Sequence, residues 1–147
     1  MKHILSVVAA LALFSLPALA EDIVVAKAVV AAPPSPKAST AAAYFTIENK
    51  GAAADTLLSL ATPTAEESML HQNKETDGVM TMIMLDKLEI PAGGSVAMKP
   101  GDIHVMLLKP VKPYEAGGEV PFELTFSHAG KVAVTAKIVP LADLKGN

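Results

Sequence analysis

The sequence predicts an all-β chain folded as one antiparallel sandwich or barrel. Short β-branched or alternating runs recur along it, turn residues interrupt them about every eight to twelve positions, and the one stretch rich in helix formers, Ala65 to Leu70, has room for a single helical turn. Together they suggest about eight or nine short strands in one domain.

The first twenty residues stand apart. Lys2 gives a positive start, Ile4 to Phe14 is an apolar run too short to span a membrane, and Ala18-Leu19-Ala20 is a small-x-small cleavage site before Glu21. Residues 1–20 are therefore read as a signal peptide and residues 21–147 as the exported domain, with a periplasmic location expected. No later run reaches the roughly 20 apolar residues of a spanning helix. Without a Cys to carry a lipid, no lipoprotein anchor is expected.

Ile23 to Val30 is β-branched and opens the domain as a strand, and Pro33, Pro34 and Pro36 make the next segment a loop. From Ala42 to Asn49, Tyr44, Thr46 and Glu48 alternate with Ala43, Phe45 and Ile47, the period of a half-buried strand, closed by a turn at Asn49-Lys50-Gly51. Thr56 to Ala61 forms a short strand stopped by Pro63. Ala65 to Leu70 leads into a short strand ending at His71. The polar run from Gln72 ends in the turn Asp77-Gly78, and Val79 to Leu85 is the next strand. Ser95 to Lys99 and Ile103 to Lys109 follow. Val120, Phe122, Leu124 and Phe126 mark one buried face of a strand from Glu119 to Ser127, in which Pro121 signals an edge or a strand start. His128 is a turn residue, and Ala129-Gly130 turns into a last strand from Val132 to Val139.

Composition excludes several functions. All twelve basic residues are Lys, no basic run occurs, and loss of Lys2 with the signal takes the formal charge from −3 to −4, so nucleic acid is not an expected partner. With no Cys, the fold rests on its hydrophobic core, and thiol catalysis and a blue-copper thiolate site are ruled out. No Gly-x-Ser-x-Gly elbow or paired-acid motif offers another catalysis, and no enzymatic activity is expected.

The informative stretch runs from His71 to Met106. His104 and Met106, two apart on a strand, point to one face, with Ile103, Val105 and Leu107 opposite. Met80, Met82 and Met84 likewise share a face, and any of the three is a candidate to join them, with His71 as a fourth. Soft thioethers with imidazoles favour copper(I) over zinc, which prefers thiolate, more imidazole or carboxylate. Taken one at a time, such residues are as well explained as core methionines and solvated or capped histidines.

The spacing is that of a known group. His71, ten residues, Met82, twenty-one residues, His104, one residue and Met106 resembles the mark of the periplasmic copper chaperones called PCu(A)C. Supporting matches are Ala43-Tyr44-Phe45-Thr46-Ile47-Glu48-Asn49, Asp77-Gly78-Val79-Met80, Ile90-Pro91-Ala92-Gly93-Gly94 and Lys99-Pro100-Gly101. The resemblance implies a cupredoxin-like antiparallel β-sandwich and one copper(I) per chain, held by His71, Met82, His104 and Met106. It also implies delivery to the dinuclear copper centre of cytochrome c oxidase, either to its copper-bearing subunit directly or through a thiol-bearing co-chaperone. A monomer is expected. Some members carry a His/Met-rich tail that binds copper(II). Asp143 to Asn147 has neither residue, so a second, copper(II) site is not expected. Two other readings stand beside this one: copper scavenging or tolerance without delivery, and a binding sandwich in which the His and Met residues are incidental.

Overall fold

Alternating side chains make ten strands in a computed structural model that describes residues 22–144; the expected signal peptide lies outside the described residues. They are β1 (Ile23–Ala32), β2 (Thr40–Asn49), β3 (Asp55–Ala61), β4 (Ala65–Thr76), β5 (Val79–Met84), β6 (Leu88–Ile90), β7 (Ser95–Ala97), β8 (Ile103–Pro110), β9 (Glu119–Phe126) and β10 (Gly130–Pro140). A 3₁₀ turn, Leu141–Leu144, follows and buries Leu144.

The strands pair in the order β5-β4-β8-β2-β1-β10-β9-β3-β6, with β7 on β2 beyond the end of β8. All pairings are antiparallel except β1 with β10, which run parallel from Val29 opposite Lys137 to Ala32 opposite Pro140. Almost the whole domain lies between these two strands, so the short-connection limit that disfavours parallel neighbours does not apply. The open path folds over on itself: Phe45 of β2 meets Phe122 of β9 edge to face, ring centroids 5.0 Å apart at 87°, and β3 packs on β4. The result is the expected all-β sandwich. Ile47, Val105 and Leu107 pack into its core with Leu57, Leu124 and Phe126, all at most 2% exposed.

Two expectations from the sequence differ in detail. β4 does not end at His71 but continues to Thr76, and β6 lies between Leu85 and Ser95, where no strand was expected. Residues 72–76 lack alternation because neither side of that segment faces the core; Gln72 still pairs with Ile103 of β8, and beyond Asn73 the strand is held by β5, through a hairpin in which Asp77 (φ 53°) and Gly78 (φ 76°) both take left-handed conformations. Pro121 sits third in β9, which β3 pairs only as far as Glu123, so one flank of the strand at Pro121 is free.

Two buried polar side chains pin the loops. Asn49 donates from Nδ2 to the carbonyls of Ala53 (2.9 Å) and Ile90 (3.1 Å) and accepts from the Gly51 amide (2.9 Å). Asn49→Ala would strand all three groups, and a loss of about 2–3 kcal/mol is expected, read as a lower urea midpoint at unchanged slope. Asp55, at the head of β3, accepts from the amides of Thr56 (2.7 Å), His128 (2.9 Å) and Ala129 (2.9 Å), and its carboxylate lies 3.3 Å from His128 Nδ1. This clasp holds β3 against the turn between β9 and β10.

Candidate metal centre

The site is built on the outer face of three adjacent strands. Leu70 of β4 and Val105 of β8 pair and turn into the core, so their neighbours His71 and His104, which also pair, point outward together. Their rings meet edge to face with centroids 5.9 Å apart at 87°. Met106 lies two residues along β8 on the same face, opposite Met69. On β5, Met82 stands opposite Asn73 and Met84 opposite His71.

Met82, His104 and Met106 line one cavity of about 340 Å³, walled by Tyr44, Asn73, Gly101 and the Ala31–Pro34 and Thr40–Ala42 segments. His71 does not line this cavity; it joins the group through its contact with His104. Met80, the third methionine on that face of β5, does not line it either. Among the described residues no three of His, Asp, Glu and Cys come together in a way that could hold an ion, so an ion at the His71–His104 pair needs methionine sulfur to complete its shell.

The two imidazoles are prepared differently. His104 is buried, and its Nδ1 lies 2.9 Å from the carbonyl oxygen of Asp102. A carbonyl can only accept, so Nδ1 carries the proton and, in the neutral ring, Nε2 presents a lone pair. A carbonyl accepting from the far nitrogen in this way fixes the tautomer of many metal-bound histidines. His71 Nδ1 is buried with no hydrogen-bond partner, the one such side-chain atom among the described residues. Burial first, and the charge of a protonated His104 second, push the His71 imidazole below the usual histidine range, which favours its neutral, ligand-competent form. An unpartnered buried nitrogen is costly in isolation and fits a site that takes up a cation.

The sequence did not point to Asp102 as the partner of His104, because the contact is made by the main chain. It also gave no sign of Asn73 and Tyr44 as cavity walls. Gly101, part of the Lys99-Pro100-Gly101 motif, lines the cavity with φ 84°, a conformation that side chains resist.

Residues 23–138 match the family described as LpqE-like. The chain belongs to the LpqE-like family. Lxx21020 of Leifsonia xyli subsp. xyli, a protein named as a lipoprotein, is 30% identical to this LpqE-like chain over 106 residues, 71% of the chain. The chain spans 62% of the length of that relative. Among solved structures, the LpqE-like chain is similar to apo-DR1885 from Deinococcus radiodurans, with 31% identity, a TM-score of 0.64, and coverage of 95% of this chain and 93% of that one. It also matches the copper(I) form of DR1885 at 32% identity and TM-score 0.64, over 78% of this chain and 76% of that one. The copper-bound PCuAC domain of PmoF2 shares the fold at 22% identity and TM-score 0.69, over 81% of this chain and 93% of that domain. The expected relation to the PCu(A)C chaperones is thus found in the structure: this LpqE-like chain has the PCuAC fold. No helix among the described residues is long and apolar enough to cross a membrane.

Proposed function

We propose that the chain is a periplasmic copper(I) carrier that binds one ion through His71, Met82, His104 and Met106. The observation that carries this reading is the convergence of two thioethers and an imidazole with a free Nε2 on one cavity, beside a second imidazole whose buried Nδ1 has no partner. Neutral sulfur and nitrogen donors suit a soft monovalent ion, and without thiolate the site does not close into a disulfide in an oxidising compartment. The likeness to the copper(I) form of DR1885 supports the same choice of metal.

The arrangement is suited to transfer. His104 is buried and oriented, whereas Met82 lies on the edge strand and is half exposed. An incoming ligand can displace Met82 while the β8 pair still holds the ion, so copper moves by stepwise ligand exchange with no change of oxidation state. The proposed acceptor is the dinuclear copper centre of cytochrome c oxidase, reached directly or through a thiol-bearing co-chaperone.

X-ray absorption on protein loaded with one equivalent of copper(I) tests the site: a shell of two nitrogen and two sulfur donors is expected, and a shell without sulfur overturns the assignment. Deleting the gene tests delivery. Oxidase activity should fall in low copper and recover with added copper, whereas unchanged oxidase activity with altered copper tolerance would assign a scavenging role instead.

A further inference from the structure

The strand that carries Met82 is also the barest in the fold. β5 ends the sheet with β4 as its one neighbour among the described residues, and all six of its residues are exposed. Of the eight large apolar side chains exposed among the described residues, five stand on this strand, so the patch belongs to β5 and is not scattered surface. Val79–Met84 holds no charge and no proline, and its pairing with β4 runs without a bulge. An edge left this way invites another strand, and proteins ordinarily blunt it. The opposite edge shows the contrast: β6 has three residues, one of them Glu89, and Pro91 follows it. The peptide groups of β5 are also aimed for pairing. The Leu85 amide donates to the Leu70 carbonyl at 2.8 Å. Peptide groups alternate in direction along a strand, so those of Val79, Thr81 and Ile83 also face β4. The N–H and C=O groups of Met80, Met82 and Met84 therefore point to the open edge.

We propose that an extended, thiol-bearing segment of the copper acceptor adds to β5 as a further strand. The proposal rests on the copper reading above for its cargo and adds the place where the acceptor docks. In an antiparallel addition the residue opposite Met82 has its Cβ about 4.5–5.5 Å from that of Met82, on the same face of the sheet. A cysteine at that position stands beside the ion. Its sulfur binds as thiolate and its proton passes to water; the copper–Met82 bond breaks as the copper–thiolate bond forms, and the metal stays copper(I). Six residues of β5 fall far short of the roughly 20–30 a side of a stable interface, so the encounter is brief, as delivery requires. A second copy of the chain fits less well, because it offers the ion only the donors it already has and nothing drives transfer. Glu75 and Asp77, both exposed, outweigh Lys74 at the turn end of the ribbon. The segment that fits thus has an uncharged centre and a basic residue where it meets the turn.

A short peptide of threonine and valine with a central cysteine and one terminal lysine serves as the acceptor, and its serine counterpart as the control. On metal-free protein the serine peptide should shift the Met80, Met82 and Met84 amide signals and slow their hydrogen exchange, leaving the Val79, Thr81 and Ile83 amides as they were. On copper(I)-loaded protein the cysteine peptide should take the ion. Met80→Pro removes one outward donor at a position where an edge strand tolerates proline, and Met80→Lys charges the edge while keeping every pairing with β4. Both variants should match the wild type against a copper(I) chelator. At subsaturating peptide both should transfer copper at least about tenfold more slowly, the equivalent of one or two lost hydrogen bonds. Transfer at the wild-type rate by both variants, or a row of outward amides that stays silent at excess peptide, overturns the docking edge and leaves the four-ligand site intact. Self-association of the peptide-free protein through the same amides assigns the edge to a second copy and overturns the acceptor. If the row shifts with peptide while the protein takes up no copper(I), the docking edge stands and the four-ligand reading falls.

Discussion

Replacing His104 and Met106 together by alanine is expected to lower copper(I) affinity by about a thousandfold or more. Even outer partners of metal ligands are worth roughly 10- to 100-fold in affinity, so two direct ligands should cost at least the product, and a thousandfold corresponds to about 4 kcal/mol. The pair is the preorganised half of the site. Both side chains leave one strand on one face, and the Asp102 carbonyl holds the His104 ring with Nε2 free. Removing them leaves His71 and a half-exposed Met82 on a ribbon with little to hold its shape. Competition against a chromophoric copper(I) chelator measures the loss. Met80→Leu, on the same strand as Met82 but outside the cavity, should bind as the wild type does. A double variant that competes as well as the wild type would remove the site from these residues. Because His104 is buried, thermal melting of the variant should accompany the titration.

Asp55→Ala should be a severely damaging polar truncation away from the metal centre. The carboxylate is buried and accepts three main-chain amides. Truncation strands those donors, and about 3–4 kcal/mol is expected, a fall in Tm of roughly 10–15 °C for a domain of this size. The charge itself carries a pH signature. Burial raises the Asp55 pKa, but the amides of His128, Ala129 and Thr56 and the His128 ring together outweigh burial and leave it below the usual aspartate range. A carboxylate depressed in the folded state stabilises the fold above its unfolded value, near 3.9, and that contribution disappears as pH falls through the lower folded value. The wild type should thus lose stability faster than Asp55→Asn as pH drops from about 5 toward 2, with the two denaturation midpoints converging. Parallel pH profiles would show that the clasp is not electrostatic.

Much of the architecture was legible because burial writes a period of two into a strand. Val120, Phe122, Leu124 and Phe126 are all buried, as their alternation requires, and His104 and Met106 share a face for the same reason. The ribbon was less legible. Gln72 and Asn73 are half-buried and residues 74–76 are exposed, so no alternation marks them as strand, and β4 continues beyond His71 on pairing alone. Periodicity left Met80, Met82 and Met84 equivalent and the shared spacing singled out Met82; the fold lines the cavity with Met82, His104 and Met106 and sets Met84 across from His71. The tautomer of His104 depends on a carbonyl that any residue at position 102 would provide. Asp55 and His128 lie far apart in sequence, and nothing local in either one announces the clasp.

The parallel pairing of β1 with β10 bears on how the chain reaches this fold. Val29 and Lys137 sit at opposite ends of the domain in sequence, yet they are neighbours in the sheet. Closing so long a loop costs entropy before its contacts repay it, and proteins dominated by such pairings fold on the millisecond-to-second scale. Until β10 emerges, β1 has a bare edge and the sandwich cannot close. The nascent chain therefore keeps that edge uncovered until its last strand is made, and truncation within β10 should release a chain that aggregates rather than a smaller folded domain.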